Sequence, residues 1–500
     1  MVPPAGAGPT DRMTRTVLAL CDEAPAMLAP GARAELAALR ASVTEPLRVA
    51  VVGRVSAGKS TLVNALIGRR VAPTAAGECT RVVTWYRFGA PDRAQLVLRD
   101  GTVHPLPFDG ELPETLAVPA ERIERIEVFL QSGVLRHMTL IDTPGLGSLD
   151  RPGDEAVRRV AIGEGATGET PSARAVEQAS ALLYLFRDVE KQDDIDFIRA
   201  HQAATGPMGS TAAGVIGVLS HADLFGSGPW SPRDPLVEAR TVADRIAGDH
   251  PALLTAVVPV AALLAQAART GQVTETKART LAALQPVETA RLQMLPRLGV
   301  PQGVDAAAAG RVLHELGPYA VNYARGVAGA GANALQNWLL HRSGLSPVEE
   351  LVGTRFVRRC MPLTVERVLR GLRGLSRSMP ASYEAGARLR DRIEQVELQP
   401  AMHRIAELRA LQLLAGRSGA LARDLTRELD LMIDNDEPWR RLGAGRPMSP
   451  PELRAELTRR WDRAQTATTT ARDPRVGEAA RVLTRSYALV GADLRPLPRM

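Results

Sequence analysis

Along the first half of the chain, short apolar runs alternate with stretches of helical period; in the second half only the helical period remains. Residues 13–42 carry that period in two pieces split by Pro25 and Pro30, after a disordered, Pro- and Gly-rich lead over residues 1–12. Val49 to Val52 is a valine-rich run suited to a buried parallel strand. Leu62, Ala65 and Leu66 then share one helical face, which Gly68 stops. Strand chemistry returns at Val82–Tyr86, in a hairpin over 94–106 turning at Asp100-Gly101, and at Ile123–Leu130 and His137–Ile141. Residues 150–177 mix a short helical stretch with loop. Ala181–Phe186, Gly214–Leu219 and Thr255–Val260 read as buried strands, separated by helices over 193–203 and 234–248. This alternation predicts a mostly parallel sheet with helices on both faces. After residue 262 the strand signals stop, and residues 263–500 predict long antiparallel helices with arginine-rich faces. The expected class is α/β plus all-α, with a sheet domain over 45–262 joined to an elongated helical region.

The loop between the first strand and its helix reads Gly53-Arg54-Val55-Ser56-Ala57-Gly58-Lys59-Ser60, followed by Thr61. It is the G-x-x-x-x-G-K-S pattern in its strand-loop-helix setting. Gly53 and Gly58 let the backbone curl until successive N–H groups point at one anion, and the helix N-terminus adds partial positive charge. Lys59 is expected to reach β- and γ-phosphates, and the Ser60 hydroxyl to ligate Mg²⁺. Composition sharpens this assignment. Lys59, Lys191 and Lys277 are the only lysines, so 59 of the 62 basic residues are arginine. A chain that writes arginine almost everywhere has placed a lysine in this loop.

Further elements follow at strand ends. Asp142-Thr143-Pro144-Gly145 puts a carboxylate where it can hold Mg²⁺ through water, with the Gly145 N–H placed to detect a γ-phosphate. Thr80 is the best-placed threonine to close on that ion, although a solvated loop threonine fits the same position. Ser220-His221-Ala222-Asp223 ends another strand, and a carboxylate there accepts two hydrogen bonds from guanine that adenine cannot supply. The usual pattern is [N/T]-K-x-D. Here His221 either stacks over the base or is an exposed loop histidine. Val260 and Ala261 are expected to bring the last backbone contact to the base.

These stretches together resemble the dynamin superfamily of large GTPases, and within it the isoniazid-inducible dynamin-like proteins of actinobacteria. The residues that carry the resemblance are 45–68, 72–89, 141–149, 220–223 and, in the helical region, 341–359. It implies a P-loop GTPase head joined by a hinge to a helical bundle or trunk, with the helices of 13–44 packed beside that bundle. It also implies GTP, GDP and Mg²⁺ as ligands, and heads that self-associate across their nucleotides or pair with a second dynamin-like chain. The charged loop from Arg187 to Asp194 is a plausible contact for such pairing. The chain departs from the eukaryotic members at Val55, where a water-positioning glutamine stands. Hydrolysis is therefore expected either to be slow or to use Ser56, Thr80 and backbone groups together with Lys59.

Charge and cysteine content narrow the alternatives. A net charge of +7 over 500 residues is modest. The helical tail lacks the aromatic stacking residues of an RNA module, which disfavours nucleic acid. Cys21, Cys79 and Cys360 are odd in number and far apart, as expected of a reducing cytosol and not of a disulfide framework or zinc site. No run of 18 apolar residues is present, so any membrane contact is expected to be peripheral, at the anionic inner face of the cell membrane. The amphipathic stretches 365–373 and 480–485 are candidates for it. Tyr319–Leu340, the least polar helical segment, reads either as a core helix or as a membrane-facing one.

Overall fold

The computed structural model of the protein describes residues 9–28, 30–74, 78–113, 115–145, 175–176, 178–187, 190–204, 214–251, 253–294, 305–378, 384–415, 417 and 419–494. Most of the stretch 150–177, residues 75–77 of the stretch 72–89 and residues 146–149 of the stretch 141–149 therefore lie outside the described residues. So do residues 1–8 of the expected disordered lead and residues 188–189 of the expected pairing loop. Contacts divide the chain into two units, residues 46–352 and residues 1–45 with 353–500.

The chain opens with α1 (Pro9–Glu23) and α2 (Arg33–Thr44). Residues 9–12 are thus helical, where a disordered lead was expected. Proline suits a first helical turn, and Met13, fully buried, anchors that turn.

The unit over 46–352 is built on a nine-stranded sheet in the order β4-β3-β5-β2-β6-β1-β7-β8-β9. In chain order its strands are β1 (Leu47–Gly53), β2 (Thr84–Phe88), β3 (Arg93–Leu98), β4 (Val103–Leu106), β5 (Ile123–Leu130), β6 (Met138–Asp142), β7 (Ala181–Phe186), β8 (Val215–Ser220) and β9 (Ala256–Val260). From β6 to β9 every pairing is parallel. These strands are largely apolar because helices cover both faces. β2 runs antiparallel to β6 and parallel to β5, and β3 with β4 forms the expected hairpin, turned by Gly101 at φ +85°. The mostly parallel sheet expected from the sequence is present.

Around it lie α3 (Lys59–Ile67), α4 (Gln192–Ala204), α5 (Pro235–Asp249), α6 (Ala262–Arg269), α7 (Glu275–Ala283), α8 (Ala306–Tyr323), α9 (Ala332–Arg342) and α10 (Leu345–Leu351). The division of the chain does not fall at residue 262. Leu264 and Ala267 of α6, Leu281 of α7, Leu316 and Tyr319 of α8 and Leu339 of α9 share one buried cluster with Tyr184, Phe186 and Leu219 of the sheet. Asp234 fastens them from the start of α5. It caps the helix by accepting from the Leu236 N–H at 3.0 Å, and also accepts from Tyr319 Oη at 3.1 Å and Arg342 Nη1 at 2.7 Å. Tyr319 stacks between Tyr323 and Trp338, with ring centroids 4.7 and 5.9 Å away. Of the two readings of Tyr319–Leu340, the core helix is the one observed.

The other unit gathers α1 and α2 with α11 (Arg358–Arg377), α12 (Glu384–Glu397), α13 (His403–Leu414), α14 (Ala420–Asp434), α15 (Pro450–Thr470) and α16 (Pro474–Asp493). Val17 and Leu20 of α1 pack with Val365, Leu369 and Leu372 of α11 and Ile393 of α12. Leu429, Leu457, Leu483 and Tyr487 centre a second cluster. The apolar faces of 365–373 and 480–485 are therefore packed in these cores, and their arginines are the side left for the expected contact with an anionic surface. Among the described residues no helix is long and apolar enough to cross one.

Within the sheet unit, the turn before α10 presses against the end of β9. Gly344 has φ +74°, and a Cβ there would stand 2.1 Å from the Pro259 carbonyl oxygen. Gly344→Ala is expected to destabilise the chain by about 2 kcal/mol or more, because backbone must move to admit the methyl. A chemical denaturation midpoint unchanged by this substitution would contradict the packing.

Candidate functional site

The parallel strands deliver the predicted residues to one edge of the sheet. Register pairs Val51 with Asp142, Gly53 with Leu185, Leu219 with Pro259 and Ser220 with Val260, so β1, β6, β7, β8 and β9 all end there. That edge, at the carboxyl ends of parallel strands, is where open α/β sheets bind ligands.

The phosphate loop fills the gap between β1 and α3. Gly53 is required by proximity, since a Cβ on it would lie 2.8 Å from the Leu185 carbonyl oxygen. Gly58, at φ +83°, is the left-handed residue that turns the chain into α3, and Ser56 holds a left-handed φ of 58° as a non-glycine residue. Ala57 is fully buried beneath the loop, whereas Val55 is half exposed. Lys59 folds back over the loop, its Nζ donating to the carbonyls of Gly53 at 3.1 Å and Arg54 at 3.0 Å. Burial lowers its pKa, while Asp142 opposes the shift.

Ser60, with Thr61 next to it in α3, meets Asp142 as expected: Ser60 Oγ donates to Asp142 Oδ2 at 2.8 Å. The second carboxylate oxygen, Oδ1, is buried without a hydrogen-bond partner. Burial pushes the Asp142 carboxyl up to about 6, with Lys59 and Ser60 pulling it down. An orphaned carboxylate oxygen beside a serine hydroxyl suits a hard divalent cation. Among the described residues there is no cluster of three His, Cys, Asp or Glu side chains able to hold a metal. Gly145 approaches the loop closely: a Cβ there would lie 2.6 Å from Val55 Cγ2. Thr80 sits in the short 3-10 turn Glu78–Arg81, between the phosphate loop's helix and β2.

At the far side, Ser220 Oγ donates to the Phe186 carbonyl at 3.0 Å and lies 3.2 Å from His221 Nδ1. His221 takes a left-handed φ of 54°, and a Cβ on Gly58 would stand 3.8 Å from its Cε1. The histidine is thus beside the phosphate loop, which separates it from a free loop residue. Asp223 follows in the turn Ala222–Leu224, and burial pushes its carboxyl up to about 6. The backbone of Ala261 is differently engaged than expected, because its N–H donates to the Ser343 carbonyl at 2.9 Å. Val260 ends β9 fully buried beside it.

Two supports escaped the sequence. Arg54 Nε pairs with Asp194 Oδ1 of α4 at 3.1 Å, and Asp194 also accepts from Tyr184 Oη at 2.8 Å and the Lys191 N–H at 3.1 Å. Asn64 Oδ1 takes the N–H groups of Val71 and Ala72 at 2.8 and 2.7 Å, and its Nδ2 donates to the Ala72 carbonyl and to Gln266 Oε1. The only sequence signal for the first was an acidic pair, Asp193-Asp194, at a helix start. For the second there was none.

Asp194 is nearly buried and Arg54 is about one-quarter exposed. In a double-mutant cycle of Arg54→Ala and Asp194→Asn, the expected coupling is about 1–3 kcal/mol of stability, read by chemical denaturation. Additive effects would remove the pair as the anchor of the loop.

Comparison with known proteins fits this geometry. The model of the Dynamin family matches residues 49–220. The isoniazid-induced protein IniC of Mycobacterium tuberculosis, in strains CDC 1551 / Oshkosh and ATCC 25618 / H37Rv, is 32% identical over 476 residues, which are 92% of either chain. IniA of the same organism is 32% identical over 185 residues, 35% of this chain and 27% of IniA. A solved bacterial dynamin pair, described as oligomerised and as a mechanism for long-range sensing and tethering of membranes, aligns over 96% of this chain and 90% of its own. That alignment has 12% identity and a TM-score of 0.32. The phosphate loop, its aspartate partner and the length of the match to IniC converge: the chain belongs to the dynamin family of GTPases.

Proposed function

We propose that the chain binds and hydrolyses GTP with Mg²⁺, and that paired heads use the nucleotide cycle to drive the helical unit in remodelling or maintaining membranes from the cytoplasmic side. The observation that carries the nucleotide part is the gathering of Lys59, Ser60, Asp142 and Asp223 at one sheet edge. A polyphosphate in the loop replaces the Gly53 and Arg54 carbonyls as acceptor for the Lys59 ammonium, and backbone N–H groups from Val55 to Ser60 close around it. Ser60 and Asp142 would hold the ion, which supplies positive charge where charge builds on the β- and γ-oxygens. Ser56, Thr80 and the Gly145 N–H are the groups assigned to orient a water. The Val55 side chain offers no hydrogen-bonding atom and stands half exposed. That favours a second reading, a switch or scaffold with slow turnover acting through a partner.

Competition titrations are expected to rank GTP over ATP, and Lys59→Ala to abolish tight binding. Asp223 must be ionised to accept both guanine hydrogen bonds, and burial sets its carboxyl near 6. Protonation removes an acceptor, so the preference for GTP is expected to hold above about pH 7 and to shrink as pH falls through about 6. A ratio that stays level between about pH 8 and 5 would remove Asp223 as the base reader.

Head pairing predicts that specific activity rises with protein concentration. Flat activity over about a hundredfold range would leave the slow switch as the reading. The full chain is expected to float with anionic vesicles at low salt and to be released at about 0.5 M salt. Failure to float in every nucleotide state would show that direct membrane action is wrong.

A further inference from the structure

Asp223 is fixed on one side by β8, which ends at Ser220. On its other side the chain runs straight into a loop, residues 225–234, before α5 begins. That loop contains Gly226 and Gly228 at left-handed φ of 59° and 84°, and Pro229 and Pro232, which lack an N–H. Its backbone bonds to itself at the Gly228 N–H, to Phe225 at 3.0 Å, and at the Ser231 N–H, to Gly228 at 3.1 Å. The carbonyls of Pro229, Ser231 and Arg233 are met from elsewhere.

They are met by the end of α8. This helix breaks at Gly317, where φ is 81° and ψ is 163°, and Pro318 restarts it. The restarted turn sets Tyr319, Asn322 and Tyr323 on one face. Asn322 Nδ2 donates to the Pro229 carbonyl at 3.0 Å, while its Oδ1 accepts from Thr289 Oγ1 at 3.1 Å, so both ends of the amide are committed. The Tyr323 hydroxyl bridges the Ser231 and Arg233 carbonyls at 2.5 and 3.1 Å. Tyr319 and Arg342 hold Asp234 where the loop ends. The other segment expected at the base is gripped from the same side, since the Ala261 N–H donates to Ser343, the residue after α9.

A hydrogen bond weakens steeply as its angle departs from linear, so a carboxylate accepting two from guanine must be held in place. We propose that Asn322 and Tyr323 are positioning residues for guanine selectivity: by holding the Pro229, Ser231 and Arg233 carbonyls they fix the loop that aims Asp223, and a helix from later in the chain thereby sets the choice of base. This rests on the reading of Asp223 as the base reader. The phosphate loop is held separately, at Gly53 by β7 and at Arg54 by Asp194, so phosphate binding does not depend on the end of α8.

The full-length chain, Tyr323→Phe and Asn322→Ala are titrated with GTP and ATP in competition, with Mg²⁺, at about pH 8, where Asp223 is ionised. Tyr323→Phe removes only the hydroxyl and keeps the ring stacked on Tyr319, which protects the fold. Each substitution is expected to weaken GTP about fivefold and ATP less than about twofold, so the preference narrows while ATP binding reports an intact phosphate loop. In an Asp223→Asn background, Tyr323→Phe is expected to leave the ratio of GTP to ATP affinity unchanged, because it acts through that carboxylate. A parent chain that binds both nucleotides alike overturns the reading of Asp223, and this proposal with it. A parent preference that survives either substitution within about twofold overturns this proposal alone. So does an equal loss of GTP and ATP, the mark of general loosening, or a further narrowing in the Asp223→Asn background.

Discussion

The site depends on one arrangement: a lysine ammonium held out of water by two carbonyl oxygens of its own loop. Desolvation disfavours the charge on Lys59 and, a short distance away, the charge on Asp142. Each supports the other's ionisation, and the proposed ligand, phosphate with its metal ion, would meet both charges. The loop keeps this shape because it is fastened outside the site. Gly53 lies flat against β7, Gly58 turns left-handed, and Arg54 is tied to Asp194.

The strands and the loop were legible because they are local facts. A valine run ending at a glycine reads as a buried strand meeting a turn, and G-x-x-x-x-G-K-S names its own geometry. The strand ends at Asp142 and Ser220 followed from the same reasoning. What escaped was pairing at a distance. Nothing in the spacing connects Arg54 with Asp194, 140 residues on, or Asn64 with Gln266, 202 residues on. The expected role of Ala261 missed the Ser343 carbonyl for the same reason.

Amphipathic periodicity is ambiguous in a related way. A helical stripe of valine and leucine among arginines, as in 365–373, looks the same whether it faces a bilayer or another helix. Here its apolar side meets α1, a helix more than 300 residues earlier in the chain. The least polar stretch, Tyr319–Leu340, is apolar because Tyr319, Leu335 and Leu339 complete a core begun by the sheet.

The clasp of Ser343 on Ala261 has a consequence for how the nucleotide-binding unit can exist alone. A chain ended near residue 262, where the strands run out, would strip Leu281, Leu316, Tyr319 and Leu339 from the cluster around Tyr184 and Phe186. It would also leave Asp234 without Tyr319 and Arg342. What remains would be a sheet with one flank wet and sticky, prone to associate for reasons unrelated to nucleotide. The smallest piece that keeps its flank dry runs to about Val352, where the contacts themselves divide.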